Sequence, residues 1–524
     1  MSALHHPLTR LRIPLALTSG ALLALSFPKF GHPAAGWVAL TPLLVALLAG
    51  ARGAFRLGLL TGIVYFAGTL YWLVRVMTTF GGLGLASAIG AAAVLVVYLS
   101  LYPALFAAVV ARLNGRSRLT AVSLAPAVWV ASEVGRTYVW SGFPWVLLGY
   151  SQATVLPIAQ VASVIGVFGL SFIVCSVSAA FAYAVVTISE TPAARARALM
   201  TLAIAVAAVL VIAAWGAMRL RASDLTREGE AIRVAVVQGN IAQDDKWNPA
   251  LVDAILGRYI GMSRAALGAR AELVIWPESS TPFFFDGDQR GEAVRRLARE
   301  SRVPFLIGSD EIEPVPMSRN EFDAGIHPRD RVYNAAFMVG PTGATVGVYR
   351  KMHLVPFGEY VPLKRLLFFV GPLVESVSDF SFGAEPVTLP VAGRPVSVAI
   401  CYEVIYSSLI RRFVLNDSQL LTTITNDAWY ERSSAAYQHW EQASLRAIEQ
   451  GRYLARAANT GISGFVDPYG RVLAQSGLFE QTMLVGDLRF IRSMTIYARV
   501  GDLIAWLSLA ATAAALVATR VRQT

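Results

Sequence analysis

The sequence predicts a polytopic helical membrane domain, a layered α/β domain and a closing transmembrane helix. The 524-residue chain has a mean hydropathy of +0.53 and 55% hydrophobic residues, which is far too apolar for a soluble protein. Long apolar segments fill residues 1–221 and recur near the C-terminus, whereas residues 222–499 alternate short β-type runs with helical stretches. We therefore expect a membrane domain over 1–221, an α/β domain over 222–499 and a last transmembrane helix within 500–524.

About eight segments are long enough, or nearly so, to cross a bilayer as helices, which takes ~20 apolar residues. Two are marginal, because 36–51 is short and 119–136 carries Glu133 and Arg136, whose charges we expect to snorkel toward the interface. Residues 1–27 are basic and then apolar like a signal peptide, but no clear cleavage site follows, and we expect a retained first span. The predicted spans are 11–28, 36–51, 54–76, 85–111, 119–136, 158–187, 198–218 and 501–519.

The net charge of +11 belongs to the apolar part of the chain. Residues 1–221 hold fourteen Lys and Arg against two acids, whereas residues 222–524 hold 31 against 32. This distribution is typical of basic loops that flank membrane segments, and it argues against a nucleic-acid-binding face. With the N-terminus in the cytoplasm, the inner loops carry eleven basic residues and the short outer loops carry five. The positive-inside rule therefore predicts a cytoplasmic N-terminus and an α/β domain outside the cytoplasm.

The pattern within 222–499 predicts a layered α/β sandwich, because many β-type runs are interleaved with helical stretches. The triplets PTG at 341–343 and PYG at 468–470 are turn signals between strands. The predicted strands are 232–238, 273–276, 304–308, 335–339, 396–400 and 420–425, and the predicted helices include 249–268, 289–301 and 436–451.

Three chemically competent side chains each follow an apolar β-type run. Cys401 is one of two cysteines, and the other, Cys175, lies in a long apolar segment where we expect it to pack. Glu278 ends the run LVIWPE, and Lys351 precedes the sequence MHLVPFGEY. Each residue alone has an ordinary structural explanation, as a buried small thiol or a solvated charge. Together, a carboxylate, an ammonium and a thiol at strand ends predict a nucleophilic cysteine with its base and its cation.

The flanking motifs make this pattern more specific. A Trp-Pro-Glu sequence, then a lysine about seventy residues on, then a cysteine about fifty further, resembles the nitrilase superfamily. The whole chain resembles the membrane-embedded branch of that superfamily, the apolipoprotein N-acyltransferases of bacterial envelopes, which implies a nitrilase-like αββα sandwich for the α/β domain. The motifs that carry the resemblance are GFPW at 142–145, GY at 149–150, VQGNI at 237–241, KW at 246–247, YRKMHLVPFGEYVP at 349–362, CYE at 401–403 and TNDAW at 425–429.

The resemblance and the chemistry together imply a role for each of the three residues. Cys401 is the expected nucleophile, and since an ordinary thiol of pKa ~8.5 is only a few per cent thiolate at neutral pH, it needs a base or a nearby cation. Glu278 is the expected general base and acid, with a pKa raised by burial behind the preceding tryptophan and proline. Lys351 is expected to stabilise the oxyanion, helped by a backbone N–H near Tyr402.

Further residues are expected to support the site because of the resemblance. Two acids orient the lysine and support the cysteine. Two tryptophans adjoin the acyl-binding site, unless they are ordinary core or interface aromatics. An asparagine in VYN and an arginine in QGR are expected to support the triad residues without contacting the substrate, although structural hydrogen bonding explains them about equally well. The supporting set is Glu359, Tyr402, Glu403, Trp247, Asn334, Trp429 and Arg452.

Joining this chemistry to a membrane domain implies lipid substrates. The resemblance implies that a phospholipid ester acylates Cys401 and that the free α-amino group of the diacylglyceryl-cysteine of an apolipoprotein accepts the chain, so that ping-pong kinetics are expected. The expected enzyme is a monomer in the bacterial inner membrane, with its catalytic domain on the periplasmic side. The sequence contains no dinucleotide, P-loop or metal-ligand motif, and we expect neither a cofactor nor a nucleic-acid partner.

Two other interpretations remain open. One is a membrane-anchored amidase that uses the same triad to hydrolyse a small amide, and the other is a transporter with a degenerate catalytic domain. The intact triad and the scarcity of charge within the spans argue against the transporter. The apolar sequences PFFF at 282–285 and LKRLLFFV at 363–370 are candidates for lids that contact the membrane, with loop packing as the alternative.

Overall fold

Each predicted membrane segment contains a helix, because an apolar segment satisfies its backbone in a bilayer only by internal hydrogen bonds. The computed structural model describes residues 11–50, 52–315, 330–356, 358–360 and 380–521. The chain divides into two compact units. The helical unit contains Met1–Ser223, Ser433–Glu449 and Thr495–Thr524, and the α/β unit contains Asp224–Arg432 and Gln450–Met494.

The helical unit is built from apolar helices that differ widely in length. The helices are Arg12–Ala24, Pro33–Gly36, Thr41–Leu48, Ala54–Leu70, Trp72–Thr79, Leu85–Asn114, Arg118–Tyr138, Leu156–Ala159, Ala162–Thr187, Pro192–Ala222, Ser434–Gln450, Ile496–Val500 and Leu503–Val521, with a 3₁₀ turn at Leu148–Gln152.

Fewer helices than predicted segments have the length of a span. Within the described residues, three helical stretches are long and apolar enough to cross a bilayer, namely Leu85–Asn114, Ala162–Thr187 and Pro192–Arg227. The pair Ala54–Leu70 and Trp72–Thr79, bent by 52°, is a fourth if it is counted as one span. The other predicted segments form shorter apolar helices or, at Arg118–Tyr138, a helix with buried charges. The structure thus supports apolar membrane helices but not the full count of eight.

Glu133 and Arg136 do not snorkel, and that expectation is wrong. Both side chains are buried inside the helical unit. One carboxylate oxygen of Glu133 accepts hydrogen bonds from the Trp129 indole at 3.0 Å and from the Leu148 amide at 2.7 Å. Arg136 donates to the carbonyl oxygens of Phe143 and Trp145. The two charges therefore hold the loop that carries the GFPW motif, because buried backbone groups require hydrogen-bond partners.

The helix Ser434–Gln450 lies in the sequence between two segments of the α/β unit, but up to Glu449 it belongs to the helical unit. It is held there by polar side chains, since the Trp145 indole donates to Gln438 at 2.7 Å and Arg446 donates to the Tyr150 hydroxyl at 3.0 Å. The backbone N–H of Val167 donates to Glu449 at 2.9 Å. These buried polar contacts, together with an ion pair between Arg446 and Glu449 at 3.1 Å, fix the helix within the helical unit.

The α/β unit contains two six-stranded sheets. The first has the order β12-β1-β2-β3-β4-β5 and the second the order β11-β10-β9-β8-β7-β6. All six predicted strands are present. The strands are β1 Ala231–Gln238, β2 Leu273–Ile275, β3 Phe305–Glu313, β4 Arg331–Val339, β5 Thr345–Arg350, β6 Thr388–Val391, β7 Arg394–Ile400, β8 Leu420–Thr425, β9 Leu454–Ala458, β10 Gly464–Val466, β11 Val472–Gln475 and β12 Thr482–Arg489.

Strand direction determines which loops gather at one edge of each sheet. In the first sheet β1, β2 and β3 are parallel, and β5 runs with them because β4 is antiparallel to both of its neighbours. In the second sheet β7, β8 and β9 are parallel. Gln238 at the end of β1 accepts hydrogen bonds from Ser463 and from Ser476, which follow β9 and β11, and so links the two sheets.

Helices cover the outer face of the first sheet. Val252–Gly268 and Gly291–Ser301 pack their apolar sides on it, and the resulting core includes Trp276, whose ring stacks on Tyr259 at 4.8 Å between centroids. Among the described residues of the unit, the other helices are Gln243–Lys246 and Ser407–Leu415, and the 3₁₀ turns are Asp224–Arg227, Pro249–Leu251, Cys401–Ile405 and Asp427–Tyr430. This arrangement confirms the predicted layered α/β fold and fixes the strand ends that carry the site.

Candidate active site

The predicted triad lies at the carboxyl ends of three strands. Glu278 follows β2, Lys351 follows β5 directly, and Cys401 follows β7 directly. Because β2 and β5 run the same way, their carboxyl ends lie at one edge of the first sheet. Hydrogen bonds of Glu278 with the loop after β8, and of Glu403 with the loop after β5, join that edge to the second sheet. Local sequence produces this geometry, since buried apolar strands end where the first polar residues occur.

Glu278 is a buried carboxylate with a complete set of hydrogen-bond donors. Its Oε1 accepts from the Asn334 side-chain amide at 2.7 Å and from the Lys351 ammonium at 3.2 Å. Its Oε2 accepts from the backbone N–H of Asn426 at 2.7 Å. A carboxylate with three donors is held in one orientation and in the ionised form. It is therefore positioned to accept a proton.

Lys351 is paired with two carboxylates. Its side chain is 1% exposed, and its Nζ lies 2.8 Å from Glu359 Oε1 and 3.2 Å from Glu278 Oε1. The other oxygen of Glu359 accepts from the Val355 amide at 2.8 Å, and Asn334 donates to Glu359 as well as to Glu278. The structure thus brings together the two acids, the lysine and the asparagine that the sequence predicted.

Cys401 has an unusual backbone conformation for a residue with a side chain. Its φ is +52°, and it opens the 3₁₀ turn Cys401–Ile405 directly after β7. A non-glycine residue in the left-handed region is strained, and such residues cluster at active sites. In this tight turn the side chain is almost buried, at 7% exposure. The Thr425 side chain hydrogen-bonds to it, and Glu278 and Lys351 lie within electrostatic reach.

Glu403 connects the loop of the lysine to the strand of the cysteine. Its Oε1 accepts from the Tyr349 hydroxyl at 2.8 Å and from the backbone amides of Met352 at 2.7 Å and His353 at 3.1 Å. Its Oε2 accepts from the Ile400 amide at 2.7 Å. The predicted supporting role is therefore structural, because this buried carboxylate fixes the residues on either side of the triad.

Removing that carboxylate is expected to destabilise the α/β unit. Glu403→Ala leaves buried N–H groups without an acceptor, and we expect it to lower the free energy of unfolding by about 3 kcal/mol. Thermal unfolding of the detergent-solubilised protein measures this, with Glu300→Ala as the control, since Glu300 is exposed on the helix Gly291–Ser301. Equal unfolding temperatures for the two variants would show that the Glu403 carboxylate does not stabilise the α/β unit.

Charged and hydrogen-bonding groups at this edge oppose the effect of burial on the pKa values of Glu278 and Lys351. Burial alone would raise the pKa of Glu278, but Lys351, Asn334 and Lys246 hold it below its ordinary value. The expectation of a raised pKa for Glu278 is therefore wrong, because the sequence did not reveal how many donors surround it. Burial opposes the charge of Lys351 too, yet Glu359 and Glu278 raise its pKa above the usual value. Burial and the nearby Glu278 raise the pKa of the Cys401 thiol.

The resting site therefore contains a neutral thiol beside an ionised carboxylate and an ammonium. Such a thiol becomes nucleophilic when the carboxylate removes its proton as it attacks. Burial raises the pKa of Glu403 to about 7, although the hydrogen bonds donated to its carboxylate act to lower this pKa. The arrangement can add a thiolate to a carbonyl carbon and stabilise the resulting oxyanion with the lysine.

Two residues near the triad were missed by the sequence analysis. Asn426, within the TNDAW motif, supplies the amide that binds Glu278, and the Asn459 side chain holds Asn426 in turn at 3.0 Å. Lys246, within the KW motif, is buried and donates from Nζ to the Glu278 carbonyl oxygen at 3.3 Å. Both belonged to motifs that were recognised, but only the tryptophan of each motif was chosen.

Arg452 does not lie with these residues. It precedes β9, at the edge opposite the carboxyl ends, and donates to the carbonyl oxygens of Ser418, Gln450 and Arg492, among others. The expectation that it supports the site is corrected to a structural role in joining chain segments at that edge. Tyr402, in contrast, is buried next to Cys401, and its ring lies beside that of Tyr406.

The candidate aromatic contacts divide into exposed and buried ones. Trp247 is 49% exposed and Trp429 is 38% exposed, so neither is a core residue. Phe283 and Phe285 are buried in the core of the first sheet, which argues against a lid, whereas Phe284 is 40% exposed. The other lid candidate, 363–370, lies outside the described residues.

Comparisons with known proteins identify the family of the chain and the type of its α/β domain. Residues 19–180 match the family model described as the Apolipoprotein N-acyltransferase N-terminal domain, and residues 233–494 match the one described as Carbon-nitrogen hydrolase. An apolipoprotein N-acyltransferase of Geobacter metallireducens is 39% identical over 502 residues, covering 95% of this chain and 93% of that protein. The one from Methylococcus capsulatus is 35% identical over 504 residues, covering 93% and 92%. A solved structure of a Nesterenkonia amidase of the nitrilase superfamily is 19% identical, with a TM-score of 0.37, covering 52% of this chain and 94% of the amidase.

The two-sheet unit and its match define a carbon–nitrogen hydrolase type of catalytic domain, here in one chain with apolar membrane helices. The similarity to the two bacterial relatives extends over nearly the full length of the chain and therefore identifies a narrower family within that class. The chain belongs to the apolipoprotein N-acyltransferase family. It is an acyltransferase, and lipoprotein N-acylation is its general function, as the resemblance of its motifs predicted.

Proposed function

We propose that this acyltransferase moves a fatty acyl chain from a phospholipid, through a thioester on Cys401, to the free α-amino group of a diacylglyceryl-cysteine at the N-terminus of an apolipoprotein. The observation that carries the proposal is the hydrogen-bonded group of Glu278, Lys351 and Glu359 beside a strained cysteine. Family membership supports the acyl acceptor, and the apolar helices support a lipid donor.

In the first half-reaction Glu278 takes the proton of the Cys401 thiol as the sulfur attacks the ester carbonyl carbon. A C–S bond forms, and the negative charge moves to the carbonyl oxygen, where Lys351 and the Tyr402 backbone N–H stabilise it. Removing one such donor typically costs ~10²–10³ in rate. The intermediate collapses, the ester C–O bond breaks, and Glu278 gives its proton to the departing lysophospholipid oxygen.

In the second half-reaction the neutral amine of the acceptor attacks the thioester carbonyl carbon. Glu278 accepts the proton of the nitrogen, the C–S bond breaks, and the thiolate recovers the proton from Glu278. An amide is left on the lipoprotein, and the enzyme is regenerated. Water would compete with the amine for the thioester. We infer that the half-exposed Trp247 and Trp429 contact the acyl chain and help to exclude water from the site.

The proposed setting is the bacterial inner membrane, with the α/β unit on the periplasmic side. Eight spans, as the apolar segments predict, would return both termini to the cytoplasm, in agreement with the eleven to five distribution of basic residues. We propose residues 1–221 and 500–524 as the membrane part and residues 222–499 as the catalytic part, in one chain acting as a monomer.

Release of the leaving group without an acceptor tests the two-step course. Purified enzyme with a phospholipid labelled in its headgroup is expected to release one equivalent of labelled lysophospholipid per enzyme, and then to stop until an acceptor peptide is added. Continuous release without acceptor would indicate that water hydrolyses the thioester, and it would contradict transfer to an amine as the second step. No release until the acceptor is present would contradict a ping-pong course.

The two half-reactions are expected to depend differently on pH. Because the pKa of Glu278 lies below its ordinary value, its carboxylate is ionised throughout the range above pH ~5, and protonation of this base should not limit thioester formation between about pH 5.5 and 7.5. Acyl transfer should rise over the same range, since the acceptor amine loses its proton with a pKa of ~7.7–8.0. Rapid-quench measurement of each step checks this, and a steep acid limb in thioester formation would contradict the ionised Glu278.

A further inference from the structure

The triad has a second buried ammonium beside it. Lys246, in the short helix Gln243–Lys246 after β1, is 5% exposed. Its Nζ donates to the carbonyl oxygen of Glu278 at 3.3 Å. A buried lysine is costly unless charges or acceptors surround it. This position therefore requires a physical explanation.

The composition of the chain makes this lysine more notable. The sequence contains four lysines among 45 basic residues, so arginine supplies nearly all of the positive charge. The four are Lys29, Lys246, Lys351 and Lys364. Two of them, Lys246 and Lys351, are buried at the same edge of the α/β unit. A compact ammonium suits a confined site better than a guanidinium, which needs room for five donors.

The titratable groups that interact with Lys246 lie on or after three different strands. Glu278 follows β2, Asp310 lies on β3, and Cys401 follows β7, and each of them interacts electrostatically with this ammonium. Asp310 is itself buried and accepts a hydrogen bond from the Ser279 hydroxyl at 3.0 Å. Burial lowers the pKa of Lys246 to about 8 and raises that of Asp310 to about 6, so both groups are charged at pH 7.

The ammonium of Lys246 is less fully occupied than that of Lys351. Among the residues that the structure describes, its hydrogen-bond acceptor is the Glu278 carbonyl oxygen, whereas Lys351 is held between two carboxylates. An ammonium has three N–H donors. The positive charge of Lys246 is therefore available to a second anion that forms nearby during the reaction.

We propose that Lys246 is a positioning residue that fixes the strand end carrying Glu278 and supplies positive charge that stabilises the thiolate of Cys401. The proposal rests on the proposed function of Cys401 as the nucleophile. Lys351 is already neutralised by Glu278 and Glu359 in the resting site, so it adds little net positive charge at the sulfur. Lys246 provides the missing cation, and the carboxylate of Asp310 offsets part of its charge.

Alkylation of Cys401 tests this role without any lipid. In a Cys175→Ala background Cys401 is the one thiol, and its rate of reaction with iodoacetamide reports its thiolate. Lys246→Met keeps the length of the side chain without the charge, and we expect alkylation at pH 7 to slow about tenfold, as for a rise of one unit in the thiol pKa. The difference should shrink at pH 9.5, where the parent lysine has lost its own proton.

Two further variants separate charge from structure. Lys246→Arg keeps the charge and is expected to recover at least part of the rate. Asp310→Asn keeps an oxygen acceptor for Ser279 but removes the opposing charge, and we expect it to speed alkylation twofold or more. A merely structural pair would instead slow alkylation in both Lys246→Met and Asp310→Asn. If Lys246→Met does not fold, Asp310→Asn carries the test by itself, and an unchanged or lower rate overturns the proposal.

The outcome is independent of the acyl chemistry. If no acyl adduct forms on Cys401 while alkylation still responds to Lys246 and Asp310 with opposite signs, the proposed function fails and this inference stands. If the acyl adduct forms while Lys246→Met alkylates and unfolds like the parent, the inference fails and the proposed function stands.

Discussion

Replacing Cys401 with alanine is expected to abolish N-acylation of an apolipoprotein peptide, with a loss of at least about 10³-fold in rate. The covalent course requires sulfur at this position, since neither Glu278 nor Lys351 can carry an acyl chain in its place while serving as base and cation. Alanine removes the sulfur and leaves the backbone of the turn, so its effect on folding is expected to be small. Conversion of a diacylated acceptor peptide to its triacylated form, followed by mass spectrometry, measures the rate.

The other cysteine provides the matched control. Cys175 is buried in the helix Ala162–Thr187 of the helical unit, and Cys175→Ala is expected to retain nearly full activity. Cys401→Ser is a second comparison, because serine keeps a hydroxyl that Glu278 can activate only weakly. Activity of Cys401→Ala at the level of Cys175→Ala would refute a cysteine nucleophile.

Replacing Glu278 with glutamine is expected to slow both half-reactions by about 10²–10⁴-fold, the usual contribution of a general base. Glutamine has nearly the same shape and keeps an oxygen for the Asn426 amide, but it cannot accept a proton. Lys351 remains paired with Glu359, so the cation stays in place. The loss should therefore appear in the rates of thioester formation and of acyl transfer, with little change in substrate binding.

Glu300→Gln is the matched control for this prediction, since Glu300 is exposed on the surface helix Gly291–Ser301. Rapid-quench kinetics with phospholipid alone and then with the acceptor resolve the two steps. If Glu278→Gln slowed only the second step, a different group would have to deprotonate the thiol. Equal rates for the two glutamine variants would show that Glu278 is not the general base.

The triad could be predicted because each residue follows an apolar strand, and polar residues at such breaks lie at the edge of a sheet. Glu278, Lys351 and Cys401 needed only this local pattern and the resemblance of their flanks. No residue range was predicted for β5, β6 or the strands from β9 to β12. Of these, β10 and β11 are short, and β12, over Thr482–Arg489, is mostly half-buried. Strands of this kind owe their pairing to tertiary contacts more than to a hydrophobic period.

Properties that depend on several distant segments could not be predicted. The lowered pKa of Glu278 requires donors from three other segments, which bring Asn334, Lys351 and Asn426 together only in the fold. The helix Ser434–Gln450 was predicted as a helix, but its contacts in the helical unit depend on buried polar pairs such as Gln438 with Trp145. A sequence pattern cannot distinguish such a helix from one that covers a sheet.

Mass spectrometry of Cys401 after incubation with a phospholipid tests the central claim most directly. The account predicts a peptide containing Cys401 with the added mass of one fatty acyl chain, which disappears when the acceptor peptide is added and appears on its amino group. It predicts no adduct in Cys401→Ala. Formation of the N-acylated product without any acyl chain passing through Cys401 would contradict the account.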